Sequence, residues 1–198
     1  MTTPSRREFL KAGGLALVGF GLVSDRRAPL AALLGARSRS TAALEVIEMR
    51  SDALGSRVWF DPIGLYVEPG ATVRWIVREN VHTTTAYHPQ NDHHPLRIPE
   101  SAVAWDSGFL VHPGDHFEVT LTVPGVYDYY CMPHEAVGMV GRIVVGQPIG
   151  PGAEPFDYWV GRAGTDSWRH VPEAARQTLP SVAQVLHERR VHPPGPRR

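Results

Sequence analysis

The segment Tyr129-Tyr130-Cys131-Met132-Pro133-His134-Glu135-Ala136-Val137-Gly138-Met139 places a thiol, an imidazole and a thioether at Cys-x2-His-x4-Met spacing, directly after an aromatic run. All three are soft or borderline metal ligands. A thiolate and imidazoles in a plane, with a weak thioether on the axis, form the donor set that holds copper in blue electron-transfer sites. One imidazole is missing from this segment and must come from another loop; His82, in Asn80-Val81-His82-Thr83, follows an alternating apolar run at a suitable place. Cys131 is the only cysteine in 198 residues, so no internal disulfide competes for it. A lone cysteine is more often a small buried hydrophobe. Its company with His134, Met139 and an upstream His82 favours metal, and the methionine favours copper over zinc, whose usual ligands are thiolate, imidazole and carboxylate.

Such ligands need a rigid frame, and the surrounding sequence reads as all-β. From Leu44 to Gly146, the turn dipeptides Pro69-Gly70, Pro113-Gly114 and Pro124-Gly125 separate short apolar segments. Phe117, Val119, Leu121 and Val123 alternate with His116, Glu118, Thr120 and Thr122, and Val73, Trp75 and Val77 alternate with Arg74 and Arg78. This is the period of half-buried strands, which need a second sheet to pack on. A Greek-key sandwich with the ligand loops at one end satisfies both demands. The stretch from Val81 to Phe109 holds three prolines and is too long for a hairpin loop, so it is expected to be an excursion with little regular structure. The five tryptophans are expected to be core and corner packing.

After Gly146 the composition turns to proline and glycine, which reads as a linker, and Pro172 to Arg190 then reads as helical. Pro180 should divide that segment into two short helices. Ser181 with Gln184 fits a capping box, Val182, Val185 and Leu186 form an apolar stripe, and the extension is expected to pack on the sandwich before an unstructured tail at Pro193 to Arg198.

At the other end, Ser5-Arg6-Arg7-Glu8-Phe9-Leu10-Lys11 and the mild apolar run Ala12 to Val23 resemble a twin-arginine export signal. Ala31-Ala32 and Ala42-Ala43 are candidate cleavage sites; an uncleaved signal would tether the protein to a membrane. Seven of the 20 basic residues but only two of the 20 acidic ones lie before Leu44. The 13 basic and 18 acidic residues that follow form a mildly acidic body with no electrostatic reason to bind nucleic acid.

Residues Leu44 to Gly146 resemble the cupredoxins, in particular plastocyanins, pseudoazurins and halocyanins. The resemblance rests on Cys131, Pro133, His134, Gly138 and Met139, on the following Gly141-Arg142-Ile143-Val144-Val145, and on Val67-Glu68-Pro69-Gly70-Ala71-Thr72-Val73 ahead of His82. It implies a type 1 copper ion on His82, Cys131, His134 and Met139, one-electron exchange with protein partners docking near His134, a monomer, and no enzymatic activity. Thr83 departs from the family, which often has Asn after the upstream histidine to link the two ligand loops. The expected organisation is a leader at 1–43, a Greek-key cupredoxin β-sandwich at 44–146, and a linker with a helical extension at 147–198.

Two rival functions stay open at this level. Extracytoplasmic copper storage or delivery would suit the histidine-rich loop His88, Asp92, His93 and His94, with His112 or His116 as further candidates; such loops are more often solvated or locally hydrogen-bonded than metal-binding. A copper oxidase or reductase would need further copper centres, and one ligand loop does not supply them.

Overall fold

The computed structural model describes residues 43–194, so the export signal and the last four residues of the tail lie outside the described residues. Among the described residues, nine strands form two sheets. The first contains β2 (Val58–Asp61), β1 (Leu44–Ser51), β4 (Ala71–Val77) and β6 (His116–Leu121), in that order. The second runs β5 (Thr85–Ala86), β7 (Gly125–Tyr130), β8 (Val140–Val145), β3 (Gly64–Val67) and β9 (Arg190–Val191). β1 and β4 are parallel, as are β3 and β8, while β4–β6 and β7–β8 are antiparallel. The all-β expectation is met.

Alternation in the sequence becomes alternation in burial. Ala71, Val73, Trp75 and Val77 of β4 point into the core, with Thr72, Arg74 and Ile76 less buried between them. On the opposite sheet Tyr127, Tyr129, Ile143 and Val145 complete the same core, which extends to Cys131 and Met139. Trp75 and Trp105 are buried there, edge-on or tilted against Tyr129; Trp59, Trp159 and Trp168 are only half-buried.

β7 and β8 are buried on both faces, which period-two reasoning did not anticipate. The cause is the C-terminal extension, which lies over the outer face of the second sheet. Val185 of α2 (Val182–Glu188) and Val191 of β9 pack with Ile63, Val126 and Val144. Ala175 of α1 (Glu173–Thr178) and Val171 pack with Tyr87, Tyr130 and Val140. Pro180 falls between the two helices, and the Ser181 hydroxyl accepts from the Gln184 amide as a cap. The Gln184 side chain turns to Glu188 instead of closing the box. Of the expected apolar stripe, Val185 is buried and Val182 half-buried, but Leu186 is exposed because a helix of two turns presents only a narrow face. Packing is close enough that a Cβ on Gly64 would lie 2.8 Å from Val185 Cγ2 and 2.9 Å from Pro180 Cγ.

Beneath the extension, Asp128 is fully buried between two arginines. Arg97 Nε donates to Asp128 Oδ2 at 2.7 Å, and Arg142 Nε and Nη2 donate to its two oxygens at 2.7 and 2.9 Å. The same guanidiniums reach the extension: Arg97 Nη2 donates to the carbonyls of Gly152 and Glu154, and Arg142 Nη1 to that of Pro180. Burial alone would raise the Asp128 carboxyl, but Arg142 and Arg97 outweigh it and hold the group below its ordinary value.

Candidate metal centre

The two ligand loops emerge at one end of the sandwich. His82 follows β4 and is fixed by a bridge to Leu110, with His82 N–H donating to Leu110 O at 3.1 Å and Leu110 N–H returning to His82 O at 2.9 Å. Cys131 ends β7. A 3-10 turn over Met132–Val137, with Pro133 in its first turn, carries His134 back toward Cys131. Gly138 closes the turn at φ +87°, a conformation that favours glycine, and its missing Cβ makes room for the Ala174 carbonyl and the Thr178 hydroxyl of α1. Backbone bonds from Cys131 N–H to Met139 O and from Met139 N–H to His134 O then bring all three residues together.

The nitrogen and sulfur donors converge. Cys131 Sγ lies 3.3 Å from His134 Nδ1 and 3.7 Å from His82 Nδ1. Ligands at about 2.1 and 2.3 Å from one ion and about 120° apart would sit roughly 3.8 Å from each other, so this spacing fits three donors around a common centre. Among the described residues, this is the one cluster of at least three His, Cys, Asp or Glu donors within 4.8 Å of one another. Met139 is fully buried beside Cys131 in the core.

Burial favours the uncharged form of each donor. Burial, with a smaller contribution from neighbouring His134, pushes His82 down to about 4; burial also lowers His134 and raises the Cys131 thiol to about 12. Without an ion the cluster is neutral at pH 7, and binding must expel the thiol proton. Thr83 supplies the link that family members often make with Asn: its hydroxyl accepts from Met132 N–H at 2.8 Å and its own N–H points to Cys131 Sγ at 3.3 Å. The first contact ties the two ligand loops together, and the second stabilises negative charge on the sulfur.

The histidine-rich loop does not assemble into a second cluster among the described residues. His93, His112 and His116 are exposed, Asp92 pairs with Arg169, and His88 Nδ1 accepts from Gln90 N–H. His94 turns inward, where its Nε2 meets Glu135 Oε2 at 3.1 Å. Sequence reasoning passed over Glu135 and Tyr87: no local pattern marks a glutamate in a surface turn as buried or pairs it with residues more than forty positions upstream.

A two-sheet sandwich that gathers a cysteine sulfur and two imidazoles at one end, with a buried methionine in the same turn, has the donor types of a type 1 copper protein. The sequence matches the family described as copper binding proteins, plastocyanin/azurin family, over residues 47–146. A chloroplastic plastocyanin from Oryza sativa subsp. indica is 32% identical over 131 residues, 60% of this chain and 80% of that protein. Plastocyanin from Prochlorothrix hollandica is 32% identical over 64% of this chain and 97% of its own length. A chloroplastic plastocyanin from Hordeum vulgare is 35% identical, but the match spans only 58% of it and 47% of this chain. Among solved structures, native pseudoazurin from Hyphomicrobium denitrificans aligns with a TM-score of 0.44 at 27% identity, over 54% of this chain and 77% of the pseudoazurin. The chain belongs to the plastocyanin/azurin family of copper-binding proteins. Copper is its cofactor.

Proposed function

We propose that this chain is an exported electron carrier in which His82, Cys131, His134 and Met139 hold one type 1 copper ion. The observation that carries this reading is the convergence of Cys131 Sγ with the two Nδ1 atoms at 3.3 and 3.7 Å. A copper ion there supplies a one-electron couple. The protein's part is to hold one geometry in both oxidation states: Thr83 ties the loops, β7 and β8 anchor Cys131 and Met139, and the Leu110 bridge anchors His82. His134 is half-exposed, and Met132, Pro133, Ala136 and Val137 of the same turn are exposed around it. That small apolar rim suits brief docking of protein donors and acceptors, with the electron leaving by the His134 edge. The arrangement favours a carrier over copper storage or delivery, because the histidines that would have supported the rival are dispersed or engaged elsewhere.

Visible absorption and paramagnetic resonance of the copper-loaded protein test the assignment: an intense thiolate-to-copper band with small hyperfine splitting is expected, and a colourless oxidised protein would refute it. Met139→Leu tests the axial role. The strong in-plane donors remain, so copper and colour should persist. Loss of the sulfur donor disfavours the more highly charged oxidised ion, so the potential should rise by roughly 60–120 mV, one to two decades at about 59 mV each. A fully loaded blue variant with an unchanged or lower potential would exclude axial ligation.

Export by the twin-arginine route and a leader ending near residue 43 belong to the same proposal, supported by Ser5 to Lys11. Changing Arg6 and Arg7 together to Lys should leave the precursor in the cytoplasm on fractionation. Undiminished export would exclude that route.

A further inference from the structure

Glu135 sits between His134 and Met139 in the ligand turn, yet it is only 7% exposed. Its Oε1 accepts from the Tyr87 hydroxyl at 2.8 Å, and its Oε2 meets His94 Nε2 at 3.1 Å. His94 is held in turn by Nδ1 contacts to Asn91 O at 2.7 Å and to the Tyr130 hydroxyl at 3.1 Å, and its ring lies 4.3 Å from that of Tyr130. Tyr87 is anchored to β7 by its N–H bond to Asp128 O. Val171 and Ala175 of the extension pack over the same aromatic cluster.

We propose that Glu135 is a positioning residue of the copper centre, held by Tyr87 and His94 so that the turn carrying His134 and Met139 keeps one geometry. The proposal rests on the ligand assignment above. An apolar side chain could fill the same space, but two directional hydrogen bonds also set the rotation of the turn. A carboxylate buried at this depth is costly unless it is paired, and both oxygens here have partners. Burial and the neighbouring carboxylate push the Tyr87 phenol well above its ordinary value, so it stays protonated and donates. Glu135 O also accepts from Gly138 N–H at 2.9 Å, which couples its position to the residue before Met139. Thr83 and Met132 link the two ligand loops directly, and the Glu135–Tyr87 bond separately ties the turn to the residue that follows β5. Partners of this kind typically change metal affinity or activity on the order of 10–100-fold when removed.

The test uses the full chain loaded with copper, and compares wild type with Glu135→Ala, Glu135→Gln and Tyr87→Phe. Visible and paramagnetic resonance spectra, reduction potential, and copper affinity against a competing chelator are the readouts. Glu135→Ala should change the hyperfine splitting, shift the potential and weaken copper binding by about tenfold or more. Glu135→Gln keeps an acceptor for Tyr87 and a polar partner for His94, and should return the spectrum close to wild type. An unaltered Glu135→Ala spectrum and affinity would overturn the proposal. Glu135→Gln departing as far as Glu135→Ala would overturn it too, since the charge and not the held geometry would then matter. Should Glu135→Ala fail to fold, Tyr87→Phe removes one bond without opening a cavity; a partial spectral shift supports the proposal and none overturns it. A wild type lacking the thiolate band would refute the ligand assignment, whereas a blue wild type with unresponsive variants refutes this inference alone.

Discussion

Cys131→Ser should abolish the intense visible band completely while leaving the sandwich folded. The band arises only when a thiolate is bonded to oxidised copper, and a serine hydroxyl at this position is a hard, poorly ionised donor that cannot replace it. Cys131 is buried, and serine is nearly the same size, so little packing is lost. The new hydroxyl would have the Thr83 N–H and the two histidine Nδ1 atoms within reach, which keeps the cost to the metal-free fold near about 1 kcal/mol. Stability of the copper-loaded form should fall further, because ligand binding contributes to folding only while affinity persists. Absorption spectra with copper content measured alongside, and thermal unfolding of both metal-free proteins, separate these effects. A variant as blue as wild type would remove Cys131 from the site.

The second large effect is expected at Asp128 of β7, outside the donor cluster. Asp128→Ala leaves Arg97 and Arg142 buried without their counter-charge and removes three charge-assisted hydrogen bonds, which should cost about 3–5 kcal/mol. It should also free the extension, since the same guanidiniums hold the carbonyls of Gly152, Glu154 and Pro180. Protease cleavage between 147 and 181 should therefore become faster. Asp128→Asn keeps the shape but not the charge and separates the two contributions. The pH dependence has a definite sign. The Asp128 carboxyl is held below its unfolded value, about 3.9. Its contribution is therefore present above about pH 4 and lost as pH falls through the folded value. The stability gap between wild type and Asp128→Asn should be widest at neutral pH and should shrink in acid. Denaturant unfolding at pH 7 and pH 3 measures it, and a variant within about 1 kcal/mol of wild type at pH 7, with an uncut extension, would exclude the structural role.

The strands and the principal ligand loop were legible in the sequence because the forces behind them are local or periodic. Alternation in Val73, Trp75 and Val77 follows from the pleat, so burial on one face can be read directly. Cys131, His134 and Met139 share one short turn, where spacing nearly dictates proximity. His82 was the expected fourth ligand because a single missing imidazole pointed to a loop after one strand, and the structure puts its Nδ1 3.7 Å from Cys131 Sγ. Tertiary structure alone decided what lies behind those ligands. Glu135 meets Tyr87 and His94 across more than forty residues, and Asp128 meets Arg97 across thirty-one, distances at which only strand order and register bring side chains together. The outer face of β7 and β8 belongs to the same class. Tyr130, Asp128 and Arg142 lie under the extension, which turns polar positions into a buried ion network. Period and spacing report the environment a strand makes for itself, whereas burial of its second face depends on a segment some forty residues further along the chain.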